Sequence, residues 1–328
     1  MSELGRWPPA ERLTGARLRP ATGTVTAMAI QRPDPAAPPF GRVLTAMVTP
    51  FTPDGGLDLD GAQRLATFLV EHGNDGLVVN GTTGESPTTT DDEKERVVRA
   101  VVDAVGDRAH VVAGVGTNDT RHSIELAHAA EKAGAHGLLV VTPYYSKPPQ
   151  AGLLAHFSQI ADATGLPNML YDIPGRTATP IETDTLVRLA AHDRIVAVKD
   201  AKGDLEASAW VMARSDLAFY SGDDKLTLPL LAIGAVGVVG VPTHLFSTET
   251  AAMIAAYLRG DVAGALALHR QLLPVFTGFF RTQGVILTKA ALTLAGLPGG
   301  PVRPPLVDAT DDQIAQLRRD AEAAGAAW

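Results

Sequence analysis

From residue 41 onward the chain alternates between two hydrophobic rhythms. Short apolar, largely β-branched runs occupy 43–48, 76–79, 110–115, 137–142, 168–171, 195–199, 217–221 and 236–239. Between them lie alanine-rich segments with apolar residues at helical spacing, as in Ala62, Leu65, Ala66, Leu69 and Val70. The runs predict eight strands, starting roughly every 20 to 35 residues, each followed by a helix. Thr90 or Asp91 is placed to cap a helix over 93–102, and Asp119 or Thr120 to cap the next.

Eight strand–helix units in about 220 residues predict an α/β chain folded as a (β/α)8 TIM barrel. A doubly wound sheet is the structural alternative, but it usually stops at about five to seven strands. Beyond residue 261 the pattern is helical only, over 262–276, over 285–295 and from 311 onward. The expected organisation is therefore a leader over 1–40, a catalytic barrel over 41–260 and a C-terminal helical extension over 261–328. The leader holds seven prolines and five arginines and no apolar segment of signal-peptide type, so it reads as disordered.

Composition narrows the function. There are 28 basic and 36 acidic side chains, a net charge of −8, and no long basic run, which argues against nucleic acid or an anionic membrane as partner. No stretch approaches the roughly 20 apolar residues of a membrane span. With no cysteine, disulfides, thiolate metal sites and cysteine nucleophiles are excluded, and a cytoplasmic location fits. The nine histidines form no metal-binding spacing, and no glycine-rich dinucleotide fingerprint follows the first strand. Neither a metal nor a nicotinamide cofactor is expected.

Barrel chemistry belongs at the C-terminal ends of the strands. The second strand runs into Asn80-Gly81-Thr82-Thr83-Gly84-Glu85, where small residues leave backbone N–H groups free for an anion and two hydroxyls add donors. The same residues also suit an ordinary turn. The fourth strand ends in Thr142-Pro143-Tyr144-Tyr145, the fifth in Tyr171-Asp172-Ile173-Pro174-Gly175-Arg176-Thr177. Lys199, one of only seven lysines, closes the apolar run of the sixth. A lysine there costs desolvation unless paired or functional. At its reference pKa only about one in 2,500 is neutral at pH 7, and burial raises that share and makes an amine nucleophile. The plainer reading pairs Lys199 with Asp200 or Asp223.

These four segments, in order and at matching spacing, resemble the dihydrodipicolinate synthase/N-acetylneuraminate lyase family of class I aldolases. The likeness runs from about residue 41 to the C-terminus. It implies that Lys199 forms a Schiff base with pyruvate and needs no cofactor, the imine being the electron sink. It further implies a proton relay of Tyr171, Thr82 and Tyr145, the last reaching into a neighbouring subunit. Thr83 would hold the pyruvate carboxylate, with Gly222 and Val239 as further substrate-binding residues. Arg176 would grip the carboxylate of L-aspartate 4-semialdehyde, placing the reaction in diaminopimelate and lysine biosynthesis, in a homotetramer built as a dimer of dimers. The alternatives are a related pyruvate aldolase or dehydratase acting on a sugar acid or hydroxy-oxoglutarate, and a non-catalytic binding protein that keeps the barrel.

The chain departs from the family pattern at three places. Gly240-Val241-Pro242-Thr243-His244 replaces the usual loop after the eighth strand, beside the lysine. Asp200 stands where many members have glutamate. His122 stands where lysine-inhibited relatives carry a glutamate for the inhibitor's amine, although Asn118 and Tyr144 of that site are present. Weak or absent inhibition by lysine is the expectation.

Overall fold

The computed structural model describes residues 37–326. Eight parallel strands close into a barrel in sequence order, β8 pairing back onto β1. They are β1 (Val43–Ala46), β2 (Gly76–Val79), β3 (His110–Gly114), β4 (Gly137–Val141), β5 (Asn168–Asp172), β6 (Ile195–Asp200), β7 (Ala218–Ser221) and β8 (Gly237–Gly240). The outer layer begins with α1 (Leu59–Glu71), α2 (Asp91–Val105), α3 (Thr120–Lys132) and α4 (Gln150–Ala163). It continues through α5 (Pro174–Thr177), α6 (Thr183–Leu189), α7 (Leu205–Met212) and α8 (Thr227–Ile233), and α9 (Thr243–Leu258) follows β8. The C-terminal helices are α10 (Val262–Gly278), α11 (Gly284–Leu294) and α12 (Asp311–Ala324).

Strand parity sorts the side chains into two packed layers. Leu77, Val79, Val111, Ala113, Leu138, Val140, Leu170, Val198 and Phe219 point outward into the helices. Val78, Val112, Leu139, Met169, Tyr171, Ala197, Ala218 and Tyr220 belong to the second cluster, which fills the barrel. Successive residues of a strand face opposite sides, so Lys199, two beyond Ala197, faces inward as Tyr171 does. Val43 and Leu44, and Val238 and Val239, all join the second cluster, together with Phe246, Met253, Leu272, Phe276 and Phe279. Here the C-terminal helices cover the outside of the β8–β1 seam: α9 packs on β1, and α10 on α9.

The predicted caps form. Thr90 Oγ1 accepts the Glu93 N–H while the Glu93 carboxylate accepts the Thr90 N–H, a capping box that starts α2, and Asp119 caps α3. Of the leader expected over 1–40, residues 1–36 lie outside the described residues, as do 327–328 at the other end. Phe40, however, belongs to the barrel. It is fully buried, its N–H donates to the Tyr220 phenol at 3.2 Å, and its ring meets His110 edge-on. A proline-rich neighbourhood masked it as leader, although a phenylalanine directly before a strand has a core to fill.

Candidate active site

β5 and β6 pair in register, so Tyr171 lies opposite Lys199, and Lys199 in turn lies opposite Tyr220 on β7. Lys199 is 5% exposed, with its Nζ 4.4 Å from the centre of the Tyr171 ring. Burial lowers the Lys199 ammonium to about 8; the buried Asp224 carboxylate opposes this and the Arg176 guanidinium adds to it. About one molecule in ten then carries a neutral amine at pH 7. Burial also pushes the Tyr171 phenol up to about 12, against the pull of Arg176 and of a side-chain hydrogen bond with Thr82. Tyr171 is thus a protonated acid throughout the neutral range, within reach of the Thr82 hydroxyl.

The pairing of Lys199 with Asp200 or Asp223 does not occur. Asp200 accepts the Ser208 hydroxyl and the Lys202 N–H, while Asp223 takes the ammonium of Lys225 at 3.1 Å. The carboxylate that acts on Lys199 is Asp224, 1% exposed at the start of the turn after β7. Its Oδ2 accepts the Val241 N–H at 3.3 Å and its Oδ1 has no hydrogen-bond partner. Burial raises it to about 7.

A cavity of about 410 Å³ is lined by Tyr171, Thr82, Ile173 and Arg176; Lys199 and Asp224 do not line it, and the Tyr171 ring links the lysine to it. The Arg176 guanidinium makes no ion pair or hydrogen bond among the described residues. The loop after β2 delivers Thr82 through a tight turn. Asn80 and Glu85 at its two ends both adopt left-handed backbone (φ 58° and 56°), and a Cβ on Gly84 would lie 3.2 Å from the Asn80 backbone nitrogen.

The other predicted residues sit as follows. Thr83 is buried beside Thr82 and does not line the cavity. Gly222 donates its N–H to the Asp200 carbonyl at 2.7 Å, and a Cβ there would come within 3.0 Å of Lys199 Cγ. Val239 is fully buried in the second core cluster, opposite Leu44. Tyr145 is not brought to Tyr171 within this chain: it is 91% exposed on the loop after β4, at φ 70°. The altered loop after β8 is stitched into the core by His244. Its Nε2 accepts the Val48 N–H at 3.1 Å and its Nδ1 lies 2.7 Å from the Val241 carbonyl, while burial lowers its pKa to about 4. That loop supplies the Val241 N–H that holds Asp224.

The outer part of the cavity is lined by Asn118, Tyr144, Ser86, Lys94, Asp91 and His122. His122 Nε2 lies 2.9 Å from Asp91 Oδ2, and Lys94 Nζ 3.7 Å from Asp91 Oδ1.

Residues 39–324 match the model of the dihydrodipicolinate synthetase family. The chain belongs to that family. The 4-hydroxy-tetrahydrodipicolinate synthase of Acidothermus cellulolyticus is 85% identical over 287 residues, covering 88% of this chain and 93% of that one. The second such enzyme of Streptomyces coelicolor is 69% identical over 287 residues, covering 88% and 96%. Among solved structures, a dihydrodipicolinate synthase from Bacillus anthracis superposes with a TM-score of 0.85 at 42% identity, covering 86% of this chain and 98% of that one. The Cyanidioschyzon merolae enzyme with lysine bound does so with 0.87 at 44%, covering 88% and 99%. The synthetase family thus spans the barrel and the C-terminal helices alike. Asp224 and Glu85 are the site-adjacent residues that sequence reasoning did not single out. Both are carboxylates in polar loop segments, and only their burial marks them.

Proposed function

We propose that this protein is a lyase of the class I aldolase type that condenses pyruvate with L-aspartate 4-semialdehyde, a 4-hydroxy-tetrahydrodipicolinate synthase of diaminopimelate and lysine biosynthesis. One observation carries the reading: the buried Lys199 ammonium, its pKa lowered by burial, lies 4.4 Å from the ring of Tyr171, and Tyr171 lines a cavity together with Thr82 and Arg176. The sequence relationship to the two actinobacterial synthases supports the same reaction.

In this reading the neutral Lys199 amine adds to the keto carbon of pyruvate. Loss of water gives the imine, whose positive nitrogen is the electron sink, so no cofactor is required. A methyl proton leaves to give the enamine, and Tyr171, coupled through Thr82 to Tyr145 of a neighbouring subunit, carries protons to and from the reacting atoms. The enamine carbon bonds to the aldehyde carbon of the semialdehyde while Arg176 grips its carboxylate. The amine of the adduct then attacks the imine carbon, closing the ring and releasing Lys199. By the family resemblance Thr83 and the backbone around it would hold the pyruvate carboxylate, with Gly222 and Val239 as further substrate-binding residues; none of the three lines the cavity itself.

Supporting the shared relay, Tyr145 is a large aromatic side chain presented to the outside by a constrained backbone. We read the assembly as a homotetramer, a dimer of dimers, working in the cytoplasm. No helix among the described residues is long and apolar enough to cross a membrane.

Borohydride reduction in the presence of pyruvate, followed by peptide mass mapping, tests the reading. A reduced adduct on Lys199 alone is expected. A folded protein that traps no pyruvate would overturn it.

A further inference from the structure

Glu85 closes the loop that carries Thr82 and Thr83, and it is held by residues of the far end of the chain. It is 2% exposed and left-handed at φ 56°, a conformation a glutamate adopts only when its surroundings enforce it. Its N–H donates to the Thr82 carbonyl at 3.2 Å, so its placement is mechanically tied to that residue. Lys289 of α11 brings its Nζ to 2.7 Å from Glu85 Oε1, both side chains being almost wholly buried. The backbone N–H of Arg303 donates to Glu85 Oε2 at 2.8 Å.

The two cations are themselves fixed. Lys289 and Arg303 each lie 4.1 Å from the centre of the Phe51 ring, and Lys289 donates to the Pro301 carbonyl at 2.8 Å. The Arg303 guanidinium donates to the carbonyls of Gly55 and Thr88 and, in a fork, to both oxygens of Glu93. Gly55 lies before α1, and Thr88 and Glu93 flank the cap of α2. One arginine therefore joins the loop after β1, the loop after β2 and the C-terminal segment. On the loop itself, the Thr49 hydroxyl donates to the Gly84 carbonyl at 2.7 Å from the β1 side. Of the residues joined in this clamp and its loop, Thr82 lines the cavity, whereas Thr83, Gly84, Glu85, Lys289 and Arg303 do not.

We propose that Glu85, clamped by Lys289 and Arg303, is a positioning residue that sets the backbone of Thr82 and Thr83 for pyruvate. The inference rests on the pyruvate-imine reading above. A buried carboxylate with a lysine, a backbone N–H and a left-handed backbone has one placement, and the loop follows it. Removing either charge leaves the other buried and unpaired, which threatens the fold; removing both does not. Glu85→Gln, Lys289→Met and the double variant therefore form the test, each checked for folding by thermal melting.

The double variant decides. It should melt close to the wild type, yet form the reducible pyruvate adduct about ten- to a hundredfold less efficiently in kcat/KM for pyruvate, with the aldehyde KM within about twofold of wild type. A folded double variant with wild-type pyruvate kinetics would overturn the proposal. So would equal losses toward both substrates that track the folded fraction, since Glu85 would then hold the fold and nothing more. If the wild type itself traps no pyruvate, the imine reading fails before the clamp is tested.

Discussion

Lys199 and Tyr171 are cross-strand partners whose side chains meet inside the barrel, the ammonium nitrogen 4.4 Å from the centre of the phenol ring. A ring face favours the cation, whereas the dry surroundings oppose it, and burial together with Arg176 lowers the ammonium to about 8. In the proposed reaction only the neutral amine attacks pyruvate. The rate of imine formation, read by rapid-quench borohydride trapping, should therefore rise about tenfold per pH unit below the pKa and level off above it. A rate independent of pH between about 6 and 8 would count against an amine titrating in that range.

The same burial has a cost in stability. A lysine whose folded pKa is lowered binds its proton more tightly when unfolded, so the penalty is complete below about pH 8 and fades as the pH rises toward the ordinary lysine value of 10.5. Lys199→Met should abolish turnover and, at pH 7, raise stability by ~1–3 kcal/mol. Chemical denaturation at pH 7 and pH 10 checks it, the advantage being smaller at the higher pH.

Tyr171→Phe should keep the fold and lower kcat by about a hundred- to ten-thousandfold, the usual worth of a positioned proton donor. Tyr145→Phe should also damage catalysis while leaving the assembly seen by light scattering unchanged. Normal turnover by the Tyr145 variant would remove that residue from the relay.

Arg176→Ala should raise the aldehyde KM at least about tenfold, because a charge-assisted fork to a carboxylate is lost. Pyruvate trapping should persist. Its pH profile should move to a higher midpoint, since the guanidinium helps to lower the Lys199 ammonium.

Gly222→Ala places a methyl 3.0 Å from Lys199 Cγ and 3.1 Å from both the Ala201 Cβ and the Asp200 carbonyl oxygen. The carbonyl is backbone and cannot swing aside, so the lysine stem has to give. Imine formation should slow by about ten- to a hundredfold, with a loss of ~1–3 kcal/mol in stability by thermal melting.

At the outer end of the cavity, Asp91 is already shared by His122 and Lys94. Asp91 is the one carboxylate that lines the cavity among the described residues, and with both partners in place the inhibition constant for lysine should exceed about a millimolar. Strong inhibition well below that would show that Asp91 exchanges its partners for the ligand.

The strands were legible because a parallel barrel buries both faces and writes each strand as a β-branched run. Their ends were less so. β5 and β6 each extend one residue further than the apolar run, onto Asp172 and Asp200, because both carboxylates are buried with partners: Lys202 at 3.3 Å for Asp172 and the Ser208 hydroxyl for Asp200. The places of Lys199 and Tyr171 near the ends of their strands, and of Thr82 and Arg176 in the short segments that follow β2 and β5, could be read from the apolar runs. Asp224 could not, since its burial depends on Gly240 and the Val241 N–H across the seam from β7 to β8. Local pattern carries no trace of a partner on another strand.

The bond between Arg303 and Glu85 spans 218 residues of chain. A growing polypeptide that has already produced all eight strands still lacks both cations that hold the β2 loop. Chains cut short after the barrel would therefore lack the groups that hold this loop, together with the helices that cover the β8–β1 seam. The β2 loop is thus tied to a segment that the chain supplies only after its last strand.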